Sequence, residues 1–85
     1  MMNADLLKAV NAALAGDWHA AHNIAQDMEE ADAHWLHAIL HKIEGDQWNS
    51  KYWYARSAGH HYEDFPDATE ELKALLMHLQ NRGQK

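Results

Sequence analysis

The chain has no cysteine, one proline and four glycines in 85 residues. Without cysteine, neither a disulfide nor a thiolate metal site can support the fold. That absence suits a reducing compartment. No stretch approaches the ~20 consecutive apolar residues needed to span a bilayer. The amino terminus, MMNADLLKAVNAALAGD, lacks the basic start and continuous apolar run of a signal peptide. The expectation is therefore a single helical domain over residues 1–85, located in the cytoplasm. Basic residues are few as well: seven Lys and Arg face thirteen Asp and Glu, for a net charge of −6. They are scattered (Lys8, Lys42, Lys51, Arg56, Lys73, Arg82, Lys85), with no stripe to displace phosphate counterions. Nucleic acid and anionic membrane surfaces are set aside on that ground. No serine or cysteine sits in a nucleophile motif and no glycine-rich phosphate loop is present, so no catalytic residue is assigned.

Histidine, by contrast, is abundant, at eight residues. An unperturbed imidazole titrates near pH ~6.5, so the charge of the chain should swing from negative toward positive between neutral and mildly acidic pH.

The sparse glycines punctuate the chain. Gly16, Gly45, Gly59 and Gly83 cut it into segments of helical length. The first runs from about Ala4 to Ala15, with Leu6, Val10, Ala13 and Leu14 on one face and Asn3 or Asp5 as a cap. The second runs from about Asp17 to Glu30 and carries Trp18, Ala21, Ala25 and Met28 in a stripe, with Ile24 beside it. The third spans Asp32 to Glu44, capped by Asp32, with Leu36, Ile39, Leu40 and Ile43 as its apolar face. The fourth spans Asp46 to Ala58 and is aromatic: Trp48, Tyr52, Trp53 and Tyr54. After a polar connection at 59–65, Pro66 suits the first turn of a fifth helix. There Ala68, Leu72, Leu75, Leu76 and Leu79 form the cleanest stripe, Glu70, Glu71 and Lys73 a polar outer side, and Asn81-Arg82-Gly83 a stop before a frayed tail. The expected fold is all-α: about five helices in stacked antiparallel hairpins (two pairs over 4–58), with 66–82 as a capping helix.

Gly16-Asp17-Trp18 recurs 29 residues later as Gly45-Asp46-Gln47-Trp48. A period of this size marks stacked helical hairpins, none of which buries its own apolar face. Gly16-Asp17-Trp18 with Ala21 resembles the start of the second helix in a tetratricopeptide (TPR) repeat. Gly45-Asp46 with Tyr52-Trp53-Tyr54-Ala55-Arg56-Ser57-Ala58 is similar to the ending of Sel1-like repeats. His37-Ala38 to His41, Glu44-Gly45-Asp46, Asn49 and Tyr52 to Gly59 together resemble a family of small, uncharacterised bacterial proteins. The likeness covers about residues 4–59. Ser50 and Ser57 stand where the repeats carry small alanines, and no proline ends either repeat. The resemblance implies a TPR-like or Sel1-like platform for a protein or peptide partner.

Four groups of residues could carry chemistry. His34, His37 and His41 form a stripe on the third segment, since helical residues three and four apart share a face. Glu44 extends it. Imidazoles at this spacing can share a metal, and with a carboxylate they suit zinc, iron or nickel. The repeat register turns His34, His37, Ala38 and His41 toward the following helix, facing Ser50, Tyr54 and Ser57. His22 lies one turn beyond Trp18, on the inward edge of the second segment, and is expected to join His37 and His41, whereas His19 points to solvent. The aromatics are mostly core candidates. Four tryptophans exceed what so small a core hides, so Trp53 and Arg56 are candidates for an interface. Lastly, His60-His61-Tyr62-Glu63-Asp64 reads as a solvated loop. Two functions stay open. One is a non-enzymatic interaction module for a protein or peptide, without cofactor. The other is a small-molecule or metal-binding protein, with zinc or another transition metal and a hydrolase among its forms, that uses His22, His37 and His41.

Overall fold

The computed structural model describes residues 4–82. Asn3, Gly83 and the Gln84-Lys85 tail, named above as cap, stop and frayed end, lie outside the described residues. Among the described residues five α-helices follow one another: α1 (Ala4–Leu14), α2 (Trp18–Ala25), α3 (Ala31–Ile43), α4 (Gln47–Tyr54) and α5 (Ala68–Arg82). A single 3-10 turn (Tyr62–Asp64) precedes α5, and there is no strand among the described residues. None of the described helices is long and apolar enough to cross a membrane.

The two Gly-Asp junctions are the same structure made twice. Gly16 and Gly45 take φ of +86° and +84°, a left-handed conformation that only glycine adopts without Cβ strain. At each, two backbone bonds close the preceding helix: Gly16 and Asp17 donate to Ala13 and Ala12, and Gly45 and Asp46 donate to Lys42 and His41. The following aspartate then caps the next helix, Asp17 accepting from the Ala20 N–H and Asp46 from the Asn49 N–H. Such tight junctions fold α1 against α2 and α3 against α4 as antiparallel hairpins.

The pairs stack through α2 and α3, and α5 covers α1 and α3, the first helix of each pair. The core lies between these layers: Leu6, Ala9 and Val10 from α1, Ala21 and Ala25 from α2, Leu36, Ile39 and Leu40 from α3, Leu72, Leu75 and Leu79 from α5. Since α3 is covered on every side, all residues from Trp35 to Leu40 are buried.

Several expectations need correction. Helix α2 ends at Ala25 rather than Glu30, and Met28 reaches the core from a turn. Helix α4 ends at Tyr54 rather than Ala58, because the buried Ser57 hydroxyl donates to the Tyr54 carbonyl and Ala58 and Gly59 then turn left-handed. Glu30, not Asp32, occupies the N-cap of α3. Asp32 instead binds Arg82 and His78 of α5. Pro66 precedes α5, whose first turn is closed by Asp67 accepting from Thr69. Ile43 is exposed rather than part of the apolar face.

The largest departure is Glu71. It is fully buried, not on the outer side of α5. Its Oε1 pairs with Lys42 Nζ at 2.6 Å. Its Oε2 accepts from Trp35 Nε1 at 2.9 Å and from the Tyr54 hydroxyl at 2.6 Å. Lys42 also donates to the Phe65 carbonyl and sits over the Tyr54 and Tyr62 rings. A buried carboxylate is tolerable only with such saturation of its oxygens. Burial and the adjoining carboxylate push the Tyr54 phenol well above its ordinary pKa. The cluster joins α3, α4 and α5 through one side chain.

Candidate functional site

His22, His37 and His41 converge at the α2–α3 contact, with one ligand atom from each lying within 4.8 Å of the others. His37 and His41 are one turn apart on α3 and stack at 4.9 Å between ring centroids. His22 enters from α2, edge-on to both, at 4.7 Å from His37 and 5.5 Å from His41. The Nε2 atoms of His22 and His37 are 3.1 Å apart. Two tryptophans hold the group. Trp18 stacks on His22 at 4.7 Å and donates its Nε1 to the Leu40 carbonyl at 2.7 Å, tying α2 to α3 at the height of the imidazoles. Trp53 of α4 stacks on His37 at 4.1 Å and tilts over His34. A further tie, Ser50 Oγ donating to the Ala38 carbonyl at 2.7 Å, presses α4 onto α3 behind them.

The partner across α4 is therefore Trp53, not Tyr54, which turns away to Glu71. Successive helical residues point about 100° apart, so a one-residue change of partner swaps a tyrosine for an indole. For the same reason Trp53 is half-buried against histidines.

The electrostatics are uneven. His37 is 5% exposed, and its pKa falls to about 4, chiefly through burial and then through repulsion by His22, His41 and His34. His22 is lowered too, by burial and by His41, with Glu44 opposing. Both rings are consequently neutral at neutral pH. His41 Nδ1 lies 2.7 Å from Glu44 Oε1. Asp46, whose carboxylate lies near both, is held low by hydrogen bonds from the Asn49 side chain and backbone. The Nδ1 atoms of His34 and His37 are buried without a hydrogen-bond partner.

Elsewhere, the repeated tryptophan does not repeat its environment. Offset by 29, Trp18 corresponds to Gln47, so Trp48 is turned by about 100° relative to it. Trp48 is 75% exposed. It stacks on Tyr52 at 6.2 Å, and the Arg56 guanidinium lies 3.7 Å over the opposite end of that pair, on the Tyr52 ring, while donating to the Tyr52 carbonyl. Residues 48, 52 and 56 so form one outward row, in which Trp48 and Tyr52 join the expected interface residue Arg56. The helical spacing of four was the available signal. His19 is exposed. In the 59–65 connection His60 does not float: it stacks on Trp35 at 3.6 Å, and burial there lowers its pKa. His61 and Asp64 close the 3-10 turn on each other. Compared with known proteins, the chain matches no family model, no curated protein and no solved structure.

Proposed function

We propose that this chain is a non-enzymatic helical module that binds a protein or peptide partner through the outer face of α4 and the turn that follows it. The observation that supports this most directly is the row Trp48, Tyr52 and Arg56. Three side chains of the types enriched at interface centres are stacked on one another and turned to solvent. Packing an arginine along an aromatic face limits its rotamers before binding, which lowers the entropy lost on association. The double hairpin of α1–α4, braced by α5, gives the row a rigid base. The TPR-like and Sel1-like resemblance of residues 4–59 agrees with a binding platform, and a cysteine-free chain suits the cytoplasm.

The test is site-specific photo-crosslinking. A photoreactive phenylalanine analogue at position 48 or 52 should yield a discrete adduct in extracts of the source cell, and at position 80, on the far side of α5, should not. Adding Arg56→Ala to the position-48 protein should weaken adduct formation by roughly tenfold, typical for loss of an interface anchor. Equal adducts at all three positions, or none at 48 and 52, would reject the assignment.

A further inference from the structure

We propose that His22, His37 and His41 form a three-imidazole site for a divalent transition metal of the zinc class. This site is separate from the α4 surface and does not depend on its role. The argument begins with distance. Metal–imidazole bonds of about 2.0–2.1 Å at angles between octahedral and tetrahedral put neighbouring ligand nitrogens about 2.9–3.4 Å apart. The His22 and His37 Nε2 atoms, at 3.1 Å, already stand at that separation. The third ligand atom, from His41, lies within 4.8 Å of both, so a small rotation of one half-buried ring closes the set.

Proton placement points the same way. Two neutral rings facing each other through Nε2 must share one proton between two nitrogens, since two lone pairs at this distance repel. A cation takes that position when the bridging proton moves to the Nδ1 of its own ring, and it then accepts both Nε2 lone pairs. The Glu44 carboxylate, an acceptor when ionised, lies 2.7 Å from His41 Nδ1 and takes that nitrogen as its donor, which leaves Nε2 as the ring's other nitrogen for a ligand. A carboxylate behind a histidine is the usual outer partner of a metal ligand, fixing its tautomer and raising its basicity. His37 is nine-tenths buried, and its Nδ1 has no partner. Among the described residues, the ring's one hydrogen bond is directed at His22.

The surroundings are built rather than incidental. Trp18 and Trp53 clamp His22 and His37 from opposite sides, so their orientation is set before any ion arrives. Neutral nitrogen ligands select the zinc, nickel and copper class over magnesium or calcium, which prefer oxygen. With three protein ligands, a fourth position stays open to solvent or a small anion.

The experiment is calorimetric titration of untagged, chelator-treated full-length protein with zinc chloride, with magnesium chloride as control. One zinc per chain is expected, with a submicromolar dissociation constant, and no magnesium binding. His41→Ala and His22→Ala should each weaken binding at least tenfold. His19→Ala and His61→Ala, at exposed rings outside the cluster, should leave it unchanged. His37→Ala removes a packed ring and endangers folding, so the two partly exposed ligands carry the test, with helicity checked by circular dichroism. Cobalt(II) should give visible d–d absorption that His41→Ala abolishes in the folded protein. Absence of saturable zinc binding at about 100 µM would overturn the proposal. So would unchanged affinity in a folded His22→Ala/His41→Ala protein, or a loss that follows His19 or His61 instead.

Discussion

Glu71 shows how much one residue decides. Its carboxylate takes Lys42, Trp35 and Tyr54, so three donors on two other helices depend on it. Removing one member of a buried ion pair leaves the other uncompensated, at a cost of about 3–5 kcal/mol. Glu71→Ala is therefore expected to destabilise the protein by that amount in urea denaturation. Glu71→Gln keeps acceptor capacity but loses the charge opposite Lys42, and should fall in between. A loss below about 1 kcal/mol for Glu71→Ala would mean that Lys42 escapes to water and that the cluster is not the tie it looks like. Nothing in the local pattern of Thr69-Glu70-Glu71-Leu72 separates the buried glutamate from its exposed neighbour. Position 71 lies on the edge of the stripe formed by Ala68, Leu72, Leu75 and Leu79. Only the arrival of Lys42 and Trp35 from α3 makes that edge an interior position.

At the scale of elements, α5 carries the clearest prediction. It covers α1 and α3 through Leu72, Leu75 and Leu79, while Leu76 sits at the margin and Met77 faces solvent. Leu75→Ala should cost about 2–4 kcal/mol, as large-to-small changes in a full core do. Leu76→Ala should cost less, because part of the side chain already meets water. Denaturation midpoints of the two variants give the comparison, and equal losses would show that α5 is rotated from the position described. This helix was legible because its stripe follows the 3.6-residue period with few interruptions. The ends of α2 and α4 were not. Their periodic residues continue into Met28 and Ser57, but the former reaches the core from a turn and the latter bonds back to its own helix. Periodicity records which residues are wanted inside, not the conformation that brings them there.

For the whole molecule, the histidine cluster links folding to pH. In the metal-free protein His37 holds a pKa of about 4, below the ~6.5 of an unfolded chain. The unfolded state thus takes up a proton first as pH falls. The stabilising contribution is complete above about pH 6.5 and is lost progressively toward pH 4, by about 2–3 kcal/mol. His22 is shifted in the same direction and adds to the loss. Urea midpoints of chelator-treated protein at pH 7.5 and 4.5 should differ accordingly. His37→Phe, which keeps a ring against Trp53 but cannot titrate, should flatten that dependence. An equal slope in both proteins would assign the acid sensitivity to other groups.

The all-α class, the number of helices and the two Gly-Asp junctions could be read from the residues alone. They rest on local physics: a left-handed glycine, an aspartate accepting from the next turn, apolar positions repeating at the helical period. The meeting of His22 with His37 and His41 was also within reach, because a repeat of 29 residues orients consecutive helices and places the inward edge of α2 against one face of α3. Tertiary structure alone decided that Trp53 rather than Tyr54 covers those rings, that Trp48 lies outside while Trp18 lies inside, and that Glu71 is buried. Each of these turns on a rotation of one residue, about 100°, or on a side chain from a distant helix. A periodic pattern tolerates that uncertainty without losing its sense, whereas a packed interface, where each ring excludes its alternatives, does not.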